Sequence, residues 1–394
     1  MSKNIYEMLG FKQSKKPVFS AESLNEARGI FNKIPLKLVS LRPLIVEQSV
    51  FEETLAISTA EDSKLTPAQA KKIEVSGEQE ARLIKYKNDS KLTPTEKYDR
   101  LEFENIRALE NKINNVSFAD ITLSLVRDIH HDLTIGLDDY CREKGVSHYH
   151  SGQLRETDTI KVGKVRAYTP PAHNQIPDLL KCLFRDFANR KTINLCDIVE
   201  FHVLFYAIHP FRNGNKRVAR ILESMLVQNY GYGADRTLSL STYYSDKKDA
   251  FTFFLMESIL KKDPTPFINF ALRGYFYVGK QLLQKTLALY LNTFRHNFKA
   301  YIEDHITPLK LPNYQIASKS IIDLNGVFTH TEFILTMKTH HSTVGIAQSI
   351  IEDLADRQIL KKSNRLYYYG DCLNLRELIK ETTKLTLRYN VEGE

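Results

Sequence analysis

His209-Pro210-Phe211-Arg212-Asn213-Gly214-Asn215-Lys216-Arg217-Val218-Ala219-Arg220 joins two helical stretches of different character. Before it, residues 197–208 are strongly apolar, the pattern of a helix buried on most sides. After it, Val218, Ile221, Leu222, Met225 and Leu226 recur at helical spacing, so a second helix starts near Asn215. Gly214 and its polar neighbours form the loop between them. The first N–H groups of a helix lack intrahelical partners and sit at the positive end of its dipole. A glycine turn in front of them shapes an anion-binding nest. Arg217 and Arg220 lie three apart, hence on one helix face. Two guanidiniums beside a nest suit a polyphosphate better than a lone carboxylate. His209, at the loop entrance, has the chemistry to take a proton from a hydroxyl near neutral pH. The residues alone therefore read as a phosphate site with a candidate base. The plainer alternative is a histidine at a helix end and two solvated arginines.

The surrounding chain is mainly helical. Phe118, Ile121, Leu125, Val126, Ile129 and Leu133 predict a helix from Ser117 that ends at Gly136. His130 falls on its apolar stripe and reads as a core histidine. Residues 159–169, stopped by Pro170-Pro171, read as a short β-hairpin around Gly163. Residues 176–188, 245–260 and 266–287 are further helices. Two K-L-T-P stretches, at 64–67 and 91–94, each place a capping Thr before a first-turn Pro and so open helices. From about residue 307 the character changes. Residues 329–337 and 342–358 predict two helices joined by a polar turn, and 359–370 alternates like a small β-wing, the outline of a winged-helix module.

The chain has 394 residues, 42% hydrophobic and 26% charged, enough for two or three globular domains. The expected division is an N-terminal helical region at 1–115, a catalytic core at 116–290 and a winged-helix-like domain at 291–394. No run of apolar residues is long enough for a transmembrane helix, and the start lacks a cleaved-signal core. The expected location is cytoplasmic, or secreted into a host cell without a cleaved signal peptide. Four scattered cysteines form no C-x-x-C pair, which argues against a disulfide frame or a zinc site. A net charge of +8 permits contact with nucleic acid or an acidic surface without demanding it.

The segment 209–220 resembles the Fic signature H-P-F-x-[D/E]-G-N-G-R-x-x-R, matching it at His209, Pro210, Phe211, Gly214, Asn215, Arg217 and Arg220. Gly152-Gln153-Leu154-Arg155 is similar to the G-x-F-R element that precedes the family's flap, and Pro170-Pro171 to the prolines that close it. The resemblance covers roughly residues 117–275. It implies a mainly α protein: a Fic-type helical core with a short β-hairpin flap, here joined to a small α/β winged-helix domain. It implies an ATP-dependent protein adenylyltransferase that moves AMP from ATP to a Ser, Thr or Tyr hydroxyl of a target protein, with Mg²⁺ or Mn²⁺. In that reading His209 is the base. Phe211, Gly214, Asn215, Lys216, Arg217 and Arg220 bind the nucleotide, and Asn213 stands at the metal position. Lys161, Val162 and Gly163 belong to a flap that aligns the target by strand addition.

Two positions depart from the pattern. Asn213 replaces the acidic metal ligand, which removes a charge and should weaken metal binding. Lys216 stands where AMP-transferring members have Gly, and the resulting N-K-R run resembles the Doc branch, whose members transfer phosphate. A Doc-like phosphotransferase is therefore one alternative. A DNA- or partner-binding winged-helix protein with a degenerate Fic core is another. Glu61 is the nearest match to the inhibitory glutamate that pairs with the last arginine in many relatives, and would also position water for removing AMP; Glu52 and Glu80 compete with it. DNA bound through the winged helix and a second copy in a homodimer are the further partners this reading admits; a membrane is not among them.

Overall fold

The computed structural model describes residues 3–15, 17–37, 42–60, 63–74, 78–112, 116–158, 160–163 and 167–388. The chain divides into two compact units, one made of Met1–Asn32 and Pro43–Val278, the other of Lys33–Arg42 and Gly279–Glu394. The boundary expected near residue 115 falls inside the first unit.

In chain order the helices that begin before residue 279 are α1 (Ile5–Leu9), α2 (Ala21–Lys37), α3 (Arg42–Ser58), α4 (Pro67–Ala70), α5 (Gln79–Asn88), α6 (Pro94–Lys112) and α7 (Leu123–Thr134), then α8 (Cys141–Lys144), α9 (Ile176–Ala188), α10 (Leu195–Ile208), α11 (Asn215–Asn229), α12 (Leu240–Asp246), α13 (Lys248–Lys261) and α14 (Thr265–His305). Helix α10 is the axis of the first unit. Asn194 and Asp197 close a capping box at its start, and every residue from Ile198 to Ile208 is buried. It packs against α9, α11 and α13. Phe201, for example, meets the rings of Phe118, Phe184 and Phe187. Each such aromatic or aliphatic side chain contributes about 1.5–3 kcal/mol on burial. The all-round apolar pattern of residues 197–208 thus has a direct cause, since no face of this helix meets water.

Several elements differ from the periodicity reading. The helix expected from Ser117 begins later. Ser117 and Asp120 cap a single 3₁₀ turn over Phe118–Asp120, and the Thr122 hydroxyl then caps α7 by accepting from the Leu125 N–H at 3.1 Å. The stretch expected as one helix over 245–260 is two, α12 and α13, broken at Lys247. The helix expected over 266–287 continues to His305. Of the hairpin expected over 159–169, the described residues show one antiparallel bridge, Val162 to Tyr168, with both N–H···O bonds at 3.0 Å; Thr159 and residues 164–166 lie outside the described residues.

The second unit contains α15 (Leu311–Asp323), β1 (Val327–Thr329), α16 (His330–Thr339), α17 (Val344–Asp356), β2 (Lys361–Ser363), β3 (Leu366–Tyr368) and α18 (Cys372–Arg388). Its antiparallel sheet has the order β1-β3-β2, so β3 is flanked on both sides. A core of Phe294, Phe298, Ile321, Phe328, Phe333 and Leu354 lies among its helices and sheet. The two helices and hairpin expected after residue 329 are present, and β1 adds a strand that was not expected.

Candidate active site

Helix α10 ends at His209, which takes the left-handed conformation (φ 52°, ψ 63°). This is rare for a residue with a Cβ and costs on the order of 1–2 kcal/mol. Strain of this kind persists only where the surroundings over-determine it, and here they do. The His209 carbonyl accepts from Arg155 Nε at 2.8 Å, and the Pro210 carbonyl accepts from the Arg155 backbone N–H at 2.9 Å. The same guanidinium donates to the carbonyls of Thr157 and Pro171. Arg155, 4% exposed, therefore ties the motif loop to both ends of the 157–171 segment.

Beyond His209 the loop closes on itself. Asn215 accepts from the Phe211 N–H at 3.0 Å and donates to the Phe211 carbonyl at 2.8 Å. The Phe211 ring stacks on His130 with centroids 3.8 Å apart. His130 is fully buried; its Nε2 pairs with the Asn213 carbonyl at 3.1 Å and its Nδ1 accepts from the Gly152 N–H at 2.9 Å. Gly214 precedes α11 at φ 79°, a conformation that favours glycine, and supplies no side chain to cap the first turn.

His209 is 7% exposed. Burial pushes its imidazole down to about 3, and the positive charges of Arg155 and Lys216 act in the same direction. The ring is therefore neutral throughout the physiological range. The Tyr168 hydroxyl donates to the Tyr206 carbonyl at 2.7 Å and faces His209 Nδ1 at 3.4 Å. Burial raises the Tyr168 phenol well above its ordinary range, so it keeps its proton. With that proton committed to Tyr206, the consistent arrangement puts the ring hydrogen on Nδ1 and leaves the Nε2 lone pair as acceptor.

The two arginines share a helix face but not a destination. Arg217, 1% exposed, forms an ion pair with Glu102 of α6 and donates to the Tyr149 hydroxyl at 2.6 Å. Arg220, also 1% exposed, donates to the Ala56 carbonyl of α3 at 3.1 Å and lies 4.6 Å from the centroid of the Phe251 ring. Both guanidiniums, expected at a phosphate nest, reach protein acceptors in this conformation. Lys216 is half-buried and Arg212 exposed. Asn213 donates to the Ser147 carbonyl at 3.2 Å, while its side-chain oxygen accepts from the Gly214 N–H at 2.8 Å. That oxygen is neutral and already accepts one hydrogen bond, which leaves one lone pair and makes it a weaker ligand for Mg²⁺ or Mn²⁺ than a carboxylate.

Of the flap residues, Lys161 and Gly163 are exposed, whereas Val162 is buried and bridges to Tyr168, the residue that faces His209. Glu61 lies outside the described residues. Glu52 accepts from Gln48 at 3.0 Å and Glu80 is exposed. Among the described residues, Glu102 is an acid that meets the motif, and motif reading missed it. The sequence carried no signal for it: Asp99, Glu102, Glu104 and Glu110 are all buried on α6, yet that helix looks ordinarily amphipathic in sequence.

The helical domain, with its histidine at the entrance of a glycine turn and helix start, can be set beside known proteins. Residues 120–227, which contain this loop, match the Fic/DOC family. A probable protein adenylyltransferase of Aquifex aeolicus is 38% identical over 77 residues, which is 19% of this chain and 23% of that protein. The chain thus aligns with about a quarter of that relative's length. A Fic family protein from Desulfovibrio desulfuricans G20 superposes with a TM-score of 0.53 at 16% identity, covering 90% of this chain and 98% of that one. Fic-1 from C. elegans gives 0.47 at 16% identity, over 68% and 73% of the two chains. The Desulfovibrio likeness is one of fold. The family match covers residues 120–227 of the chain, and a stretch of 77 residues is similar to part of the Aquifex protein. Among the described residues no helix is long and apolar enough to cross a membrane.

Proposed function

We propose that this protein is a protein adenylyltransferase that moves AMP from ATP to a hydroxyl side chain of a target protein. The observation that carries the reading is the state of His209. It is neutral, held by Arg155 at its backbone and by Tyr168 at Nδ1, and its Nε2 is left to accept a proton. In the reaction the target O–H gives its proton to Nε2 while its oxygen attacks the α-phosphorus. The bond to the bridging oxygen breaks and pyrophosphate leaves. A general base contributes about 10²–10⁴-fold when its pKa lies near the operating pH; burial holds His209 below that, and the negative charge of docked phosphates would raise it. The uncapped start of α11 and the guanidiniums of Arg217 and Arg220 are the groups suited to the leaving pyrophosphate charge. For them to serve it, the contacts to Glu102 and Ala56 must exchange for contacts to the nucleotide. Lys161–Gly163, exposed at its two ends, is the segment on which a target strand would pair.

The test is labelling of protein by radioactive ATP in a lysate of candidate targets, with label in the α or the γ position. The reading expects α-label to enter protein and to disappear in His209→Ala. Label entering only from the γ position would replace it with phosphate transfer, the outcome towards which the Asn213 and Lys216 substitutions lean. No label from either position, with ATP binding absent, would leave a core without transferase activity.

A further inference from the structure

Between α7 and the bridge segment, the chain turns through Leu137–Tyr140, α8 and a loop ending at Tyr149. Three side chains of different donor type converge there. Cys141 Sγ lies 3.7 Å from Asp138 Oδ1, and His148 Nδ1 lies 3.7 Å from the same oxygen. All three donor atoms fall within 4.8 Å of one another. Around a tetrahedral zinc ion with Zn–S of about 2.3 Å and Zn–N or Zn–O of about 2.0–2.2 Å, ligand atoms sit roughly 3.3–3.6 Å apart. Small side-chain movements therefore bring this set to coordination distance.

The surroundings strengthen the case. The Cys141 sulfur faces three oxygen acceptors, the Leu137 carbonyl at 3.4 Å and Asp138 Oδ1 and the Ser147 carbonyl at 3.7 Å each, but a thiol has one hydrogen to share. A cation answers that excess of lone pairs better than one weak S–H bond. The Asp138 carboxylate is already aimed, because it accepts the backbone N–H groups of Tyr149 at 2.6 Å and His150 at 3.1 Å. Supporting bonds of this sort orient metal ligands. Cys141 is buried, whereas the His148 side chain is 57% exposed, so the cluster is anchored inside and open to solvent at one side.

We propose that Asp138, Cys141 and His148 form a binding site for Zn²⁺, with water in the fourth position. The thiolate and imidazole donors select zinc over the hard cations Mg²⁺ and Ca²⁺. On binding, the Cys141 S–H bond breaks, the sulfur bonds the metal and the proton passes to buffer. The ion would pin the loop that presents the Tyr149 hydroxyl to Arg217 and the Ser147 carbonyl to Asn213. Cysteine spacing alone pointed the other way, since no C-x-x-C pair is present. The inference does not depend on the transferase reading.

The experiment titrates chelator-stripped full-length protein with ZnCl₂ by calorimetry and follows Co²⁺ substitution by absorbance. The expected result is one Zn²⁺ per chain, unaffected by excess Mg²⁺, and a near-ultraviolet thiolate-to-cobalt band. His148→Ala, at an exposed position, should weaken binding by roughly 10–100-fold or more with the circular dichroism unchanged, and Cys141→Ser should abolish the cobalt band. His150→Ala should bind as the parent does. Failure of the parent protein to take up zinc, or equal affinity in His148→Ala, overturns the proposal. A cobalt band that survives Cys141→Ser does the same.

Discussion

Arg217 and Glu102, 115 residues apart in the chain, meet as an ion pair from which water is almost excluded, the side chains being 1% and 2% exposed. The pair is held in a wider net, since Arg217 also donates to Tyr149 and the Ser58 hydroxyl donates to Glu102 at 3.2 Å. Helix α6 is thereby tied to the start of α11.

Removing one partner of such a pair strands the other charge and costs about 3–5 kcal/mol, whereas replacing both by apolar groups is often near neutral. Glu102→Ala should therefore lower the unfolding free energy in urea by about that amount. Glu102→Gln should cost less, because a carboxamide oxygen still accepts from the guanidinium. A double Glu102→Leu, Arg217→Met variant should recover most of the loss. If the single and double variants were equally unstable, the pair would not be the source of the effect.

The two buried histidines of the site make a pH prediction with a definite sign. Burial pushes both His130 and His209 down to about 3 in the folded protein, against about 6.5 in an unfolded chain. Above that value neither state binds the proton and stability is unaffected. As pH falls through 6.5 towards 3, the unfolded chain takes up protons that the folded chain refuses. Stability then declines by at most roughly 1.4 kcal/mol per pH unit for each ring. The rings can be followed directly by NMR, where their C2–H resonances should stay fixed from pH 8 to pH 5. The rate of label transfer should likewise show no acid limb near 6.5 from His209. A limb there that disappears in a histidine variant elsewhere would move the base to another residue.

Much of this site was legible in the sequence, for reasons that can be named. The residues of 209–220 act locally: His209 ends one helix, Gly214 supplies the positive φ, and Asn215 reaches back four positions to Phe211. Local geometry follows from local spacing. His130 could also be assigned to the core because its stripe was apolar. What escaped was long-range. Neither the spacing of Glu102 nor that of Ala56 indicates that α6 and α3 supply the acceptors for Arg217 and Arg220. The break at Lys247 and the late start of α7 escaped as well, because hydrophobic periodicity runs on through a capped turn. The Asp138, Cys141 and His148 cluster was invisible to a search for paired cysteines, since it draws its donors from three residue types.

Asn215 clamps both polar groups of the Phe211 backbone, and its two bonds have opposite direction. Asn215→Asp keeps the acceptor for the Phe211 N–H but sets a carboxylate against the Phe211 carbonyl. A buried acceptor left facing a charge costs about 1–3 kcal/mol or more. The variant should lose about that much stability and, with the Gly214 turn released, transfer label at a small fraction of the parent rate. Thermal denaturation and initial rates measured on the same preparation check both. Full activity in a destabilised Asn215→Asp would show that the turn need not be held for chemistry.

Tyr168 offers the sharpest test of how the base is prepared, because it touches His209 without lying in the phosphate loop. Its hydroxyl satisfies the Tyr206 carbonyl at 2.7 Å and receives the His209 Nδ1 edge at 3.4 Å. Tyr168→Phe removes both contacts while leaving the ring packed beside His209, where the centroids are 6.4 Å apart. The stability cost should be modest, about 1–2 kcal/mol for one lost hydrogen bond at a buried carbonyl. Without the hydroxyl the imidazole keeps the Tyr206 backbone and ring as neighbours but loses one restraint on its rotation and on which nitrogen carries the hydrogen. The turnover rate should then fall about tenfold, less than the 10²–10⁴-fold expected when the imidazole itself is removed. The KM for ATP should be unchanged, since no phosphate contact is altered. A raised KM with an unchanged turnover rate would instead assign Tyr168 to nucleotide binding and leave the orientation of His209 to Arg155 alone.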